Sequence, residues 1–139
     1  MTEKTNAQMA FDEVVKAVYQ LLKPLGFKKK ALNFYRQEAD IVQFINIQKS
    51  VYNSGEHITF TLNLGVDVAG KKCTSIHDFA VRERIGAVKN SGDFWYEFSD
   101  ESTIFVRKQK YQAEKDLLIK DITDFVLPFF ERFKTQNDI

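Results

Sequence analysis

The sequence predicts an α+β fold: an antiparallel sheet of about five strands, with N- and C-terminal helices packed on one of its faces. Three observations carry this. Apolar residues recur at three and four from Met9 to Leu25, one stripe of an amphipathic helix. The segment from His57 to Val68 alternates strictly, with Ile58, Phe60, Leu62, Leu64 and Val66 on one face and His57, Thr59, Thr61 and Asn63 on the other. A helical period returns after Arg107 and runs to Phe133.

Residues 1–7 are polar and read as a disordered tail, and 8–139 as a single α+β domain. The first helix spans Phe11, Val14, Val15, Val18, Leu21, Leu22 and Leu25. It stops at Pro24 and Gly26, since glycine accepts the left-handed conformation at a helix end. Lys28, Lys29 and Lys30 follow directly. They read as a solvated turn, because basic side chains after a helix C-terminus suit its dipole. "ALNFYRQEA" is a first strand and "DIVQFINIQKSV" a second, apolar on both faces and so covered in part on each side. "NSGE" at 53–56 makes a turn into the alternating strand. "AGKKCTSIHDF" is a loop, "AVRERIGAVKN" contains a short strand, and "FWYEF" is a strand after the turn "SGD". In the last helix Pro128 lies inside the pattern and is expected to kink it.

The totals exclude several functions. Thirteen Phe, five Tyr and one Trp among 139 residues give an aromatic core. Twenty basic residues against nineteen acidic ones leave a net charge of +1, which argues against a dedicated nucleic-acid binder. One cysteine, Cys73, permits no intrachain disulfide. No apolar run approaches the roughly 20 residues of a membrane helix, and the first residues have no signal-peptide core, so a cytoplasmic location is the expectation.

Little of the chain suggests chemistry. Cys73 and His77 are four apart and the only other histidine is His57, too few ligands to close a zinc site, so no metal and no cofactor are expected. Cys73 beside Lys71 and Lys72 is a candidate nucleophile, with His77 or His57 as its base. No phosphate-binding glycine loop, nucleophile elbow or zinc-binding helix motif is present. Asn46 and Gln48 are polar interruptions of an otherwise apolar strand. Arg84 and Trp95 are residue types that dominate interfaces.

The helix closing on "LLKPLGFKKKALNFYR", then "DIVQFINIQKS", "FTLNLGV", "RERIG", "FWYEF" and "LPFFERF" resemble the bacterial family called domain of unknown function 4304. The resemblance runs over residues 8–134. What it implies is limited, since the family has no established activity, catalytic residues or cofactor. Small stand-alone α+β proteins of this kind resemble immunity or accessory proteins of toxin systems.

Three functional expectations follow. The first is a non-enzymatic binding protein with a protein partner, acting by steric occlusion through the open sheet face, with Asn46, Gln48, Thr59, Thr61, Asn63, Arg84 and Trp95 as its surface. On this reading Thr61→Arg should fold normally, as an exposed substitution does. The second is a small-molecule or peptide pocket, catalytic or not, around Cys73, His77 and Arg84. The third is RNA binding through Lys28–Lys30 with Tyr35 as a stacking platform.

Overall fold

In a computed structural model, which describes residues 3–100 and 104–139, a side-chain cap starts the first helix. The Thr5 hydroxyl accepts from the Gln8 N–H at 3.1 Å, and the Gln8 carboxamide accepts from the Thr5 N–H at 2.9 Å. This reciprocal box satisfies two of the helix's orphan donors. Helix α1 (Asn6–Leu22) therefore begins two residues before the expected position 8. Its buried stripe is Ala7, Phe11, Val14, Val15, Val18 and Leu22. A 3₁₀ turn over Lys23–Leu25 ends it, and Gly26 takes φ +96°, as the Pro-Leu-Gly signal requires.

Lys28–Lys30 is not a turn. It forms strand β1, antiparallel to β2 (Asn33–Glu38), with Lys28 opposite Tyr35, Lys29 opposite Phe34 and Lys30 opposite Asn33. All three lysines are exposed. A short edge strand made of lysine resists pairing with another chain, which is the physical use of the run at this position.

The sheet continues through β3 (Ile41–Lys49) and β4 (His57–Val68) to β5 (Val81–Arg84), every pair antiparallel. A sixth strand, β6 (Tyr96–Ser99), also pairs with β4. The twelve-residue β4 thus serves two strands along one edge: β6 beside His57–Phe60 and β5 beside Asn63–Val66. The short helix α2 (Ile85–Val88) and the residues after it bridge β5 to β6.

Period two and the register assign the faces. The inner face carries Phe34, Ile41, Ile45, Ile47, Ile58, Phe60, Leu62, Leu64, Val66, Tyr96 and Phe98, all buried. They form one core with α1, with α3 (Ile104–Asp121), with a π-helical turn (Ile122–Val126) and with α4 (Leu127–Phe130). Phe60 lies at its centre, edge-on to Phe11 at 5.2 Å and stacked on Tyr96 at 5.3 Å between ring centroids. The expected irregularity at Pro128 falls just before it. In the π turn the Leu127 N–H reaches back five residues to the Ile122 carbonyl, and Pro128 then opens α4, where its missing donor costs little.

A buried carboxylate sits in this core. Asp121 is buried, and its carboxylate accepts from the Tyr96 hydroxyl at 2.6 Å and from the Lys89 ammonium at 2.8 Å. The three residues tie α3 to β6 and to the end of α2. Burial, and then the Asp121 carboxylate, push the Tyr96 phenol well above its ordinary value. A group whose folded pKa is raised contributes stability below its unfolded value, about pH 10 for tyrosine, and that contribution is lost as pH rises past it. Denaturant melts are therefore expected to show stability falling from about pH 10 upward, with a shallower fall in Tyr96→Phe. An identical alkaline slope in the variant would contradict the assignment.

Candidate functional site: a carboxamide row on the outer face

The outer face carries the other set of alternating residues. The two-residue turn Ala39–Asp40 between β2 and β3 fixes the register, so Asn33 lies opposite Asn46, Asn46 opposite Asn63, and Asn63 opposite Arg84. One row of side chains thus crosses four strands. Gln48 stands beside it, two residues along β3.

These side chains hydrogen-bond in sequence. Arg84 Nη2 donates to Gln48 Oε1 at 3.5 Å, the longest of the set. Asn63 Nδ2 donates to Gln48 Oε1 at 2.7 Å and to Asn46 Oδ1 at 3.1 Å. Asn46 Nδ2 donates to Asn33 Oδ1 at 2.7 Å. A guanidinium can only donate, so Arg84 turns the Gln48 oxygen towards itself. Asn63 must then present its amide nitrogen, and the same polarity passes to Asn46 and Asn33.

Arg84 is itself held in place. Its Nη1 lies 3.2 Å from both Asp93 oxygens, and its guanidinium lies over the Trp95 ring at 5.4 Å. The Trp95 indole N–H donates to Asp93 at 3.0 Å. That indole bond first, and Arg84 with it, hold the Asp93 carboxyl below its ordinary value against the opposing effect of burial.

Loops wall the row into a cleft of about 870 Å³, lined also by Thr74–His77, Arg82, Glu83, Ala87 and Gly92. Residues 69–80 form one wall, and Asp67 anchors it. Burial alone would raise the Asp67 carboxyl, but hydrogen bonds from Lys71 at 2.8 Å and from the Val68 and Ala80 N–H groups outweigh it and hold the carboxyl low. Phe79 then folds over the sheet and stacks on Phe44 at 4.7 Å. Gly65 makes the room: a Cβ there would lie 2.7 Å from the Phe79 ring. The other wall is closed by Gly86, whose carbonyl accepts from the Ser91 N–H at 3.0 Å.

Of the seven residues proposed from sequence for this face, Asn46, Gln48, Asn63 and Arg84 line the cleft together. Trp95 lies behind Arg84 as its platform. Thr59 is set apart, half-buried and bound through its N–H and hydroxyl to Asn53 at 2.9 and 3.0 Å. Thr61 requires a correction. It points outward, as alternation demands, yet it is 0% exposed, because the 91–95 segment covers it and the Phe94 carbonyl accepts its hydroxyl at 2.7 Å. Asn33 and Asp93 were missed. Asn33 was findable only through the Ala39–Asp40 turn that sets its register.

The Cys73, His77 and Arg84 trio is divided. His77 and Arg84 line the cleft, but Cys73 does not. Its thiol has the Asp78 carbonyl at 3.7 Å and the Asp67 carboxylate at 4.0 Å, not His77. Burial first, and then Asp67, push the thiol pKa up, the reverse of an activated nucleophile. Lys71, which looked activating in sequence, is engaged with Asp67. Among the described residues no group of three or more His, Cys, Asp or Glu is placed to hold a metal ion. Lys28 and Tyr35 share the outer face at the sheet's β1 edge, beside the cleft.

The molecule is thus an α+β sheet protein with a polar cleft on the sheet face opposite its helical core, and among its described residues no helix is long and apolar enough to cross a membrane. Residues 18–132 match the family described as Domain of unknown function (DUF4304), and the chain belongs to that family. The match includes every cleft residue named above. No curated protein and no solved structure matches the chain.

Proposed function

We propose that the protein is a non-enzymatic binding protein of the bacterial cytoplasm that acts by covering a protein partner, in the manner of an immunity or accessory protein, through the cleft on its outer face. The oriented row Asn33–Asn46–Asn63–Arg84 carries this reading. Preorganised side-chain amides recognise a partner at low ordering cost, because their rotamers are already fixed by one another. The groups facing the cleft are mainly carboxamides, guanidiniums and hydroxyls, and the nearby thiol lies outside it and is suppressed rather than activated.

Asn46→Arg tests this. Asn46 is half-buried at the middle of the row, so an arginine there fills the cleft from within. The variant is expected to fold and to lose the partner that the wild-type chain captures. A second reading is a small polar ligand. It is favoured by the cleft's volume, about 870 Å³, within the range of ligand pockets. It requires that a low-molecular-weight compound, and not a protein, raise the melting temperature of the wild type and leave that of Asn46→Arg unmoved.

A further inference from the structure

The hydrogen bonds inside the row leave a one-sided surface. The Asn33, Asn46 and Gln48 oxygens each accept from a neighbour in the row. Asn33 and Gln48 therefore keep both amide hydrogens for a ligand, and Asn46 keeps one. Only Asn63, whose two amide hydrogens are both used, has none to offer. The row offers donors and asks for acceptors.

Each end carries a cation, Lys30 on β1 and Arg82 on β5, and the Glu83 and Asp93 carboxylates also line the β5 end. Lys30 lies opposite Asn33 on β1 and so continues the row past the cleft. Arg82, on the same face of β5 as Arg84, donates to the His77 carbonyl at 3.4 Å and has no carboxylate within ion-pair distance among the described residues. Lys30 likewise has no ion pair among the described residues. Arg84, by contrast, is already matched by Asp93. The four strand-to-strand steps from β1 to β5 set Lys30 and Arg82 roughly 20 Å apart at about 4.8 Å per step, and an extended chain covers that with about six residues.

We infer that the cleft takes an extended acidic segment of a protein partner. The segment lies along the row, its carboxylates meeting Lys30 at one end and Arg82 at the other, its backbone carbonyls accepting from Asn33, Asn46 and Gln48. One inorganic anion could not use donors spread over such a length. This rests on the reading that the cleft is a binding face and adds the chemistry of what it binds. It also gives the lysine run a role: Lys30 is one pole of the site.

The test is a titration of the isotope-labelled full chain, followed by the side-chain amide resonances of Asn33, Asn46 and Gln48. Four probes are compared: a blocked peptide of about eight residues alternating Glu and Ala, its Gln counterpart, a single-stranded oligonucleotide, and inorganic phosphate. The Glu peptide is expected to shift all three resonances to saturation, and the Gln peptide to bind at least about tenfold more weakly, with the difference shrinking in high salt. Lys30→Gln and Arg82→Gln, both exposed changes, should each weaken the Glu peptide severalfold while leaving the melting temperature unmoved. Equal binding of Glu and Gln peptides in the cleft would overturn the acidic class and leave the binding face standing. Shifts as large with phosphate alone would make it a free-anion site. A stronger response to the oligonucleotide, centred on Lys28–Lys30 and Tyr35, would overturn it in favour of nucleic acid. If no probe moves the row, the acidic-segment proposal fails, and the capture experiment with Asn46→Arg judges the binding face separately.

Discussion

Thr61→Arg is expected to unfold the protein. Thr61 faces away from the helices but is 0% exposed, and its hydroxyl closes a 2.7 Å bond to the Phe94 carbonyl. An arginine there either buries its charge under the 91–95 segment or lifts that segment off the sheet. Burying an unpaired charge is among the few single changes that exceed about 4 kcal/mol, against a total stability of about 5–15 kcal/mol for a domain. Thr61→Val keeps the shape and removes only the hydrogen bond, so it should cost about 1–3 kcal/mol by leaving the Phe94 carbonyl unpaired. Urea melts of both variants decide the matter. Thr61→Arg melting within about 1 kcal/mol of wild type would show the site to be open after all, as alternation alone had implied.

Gly86→Ala is expected to be as damaging by a different route. A Cβ at Gly86 would lie 1.9 Å from the Gly92 carbonyl oxygen and 2.8 Å from the Phe94 nitrogen. Both are backbone atoms, so no rotamer change relieves the contact. The 91–95 segment would have to move, and with it Asp93, the platform of Arg84 and the cover of Thr61. Overpacking commonly costs about 1–3 kcal/mol, and a clash this short against backbone belongs above that range. Trp95 is the chain's one tryptophan and lies in the moving segment, so its fluorescence should shift as stability falls. Unchanged stability with unchanged fluorescence would contradict this account of the turn.

What the sequence disclosed and what it hid follow from how local each signal is. The Gly26 stop, the β4 alternation and the α1 stripe from Phe11 to Leu22 are written within one element and appear where the periodicity puts them, while Met9 and Leu25, the expected ends of the stripe, are exposed. Lys28–Lys30 carries no apolar alternation; it is a strand only because β2 offers it an edge. The division of one β4 edge between β5 and β6 is equally a matter of tertiary pairing. Helix α1 begins early through a Thr-x-x-Gln cap, a signal present in the sequence but not in the hydropathy. The site was half-legible. Asn46, Gln48 and Asn63 stand out as polar residues on strands that are otherwise apolar or bury one face, and Arg84 as an interface type. Asn33 stays hidden until register is known. Thr61 misleads because its cover comes from a residue 33 positions away. Tyr96, Lys89 and Asp121 meet from three elements, and no spacing in the chain announces them.

The most direct test of the central claim, that the carboxamide row is a binding face, is affinity capture from the native cell with wild type and Asn46→Arg in parallel. Both proteins are first matched for melting temperature, and the captured proteins are quantified. The account predicts a protein partner enriched by the wild type and reduced at least about tenfold by the variant, a loss of about 1.4 kcal/mol or more in binding. A partner held equally well by Asn46→Arg would place binding on another surface and contradict the account.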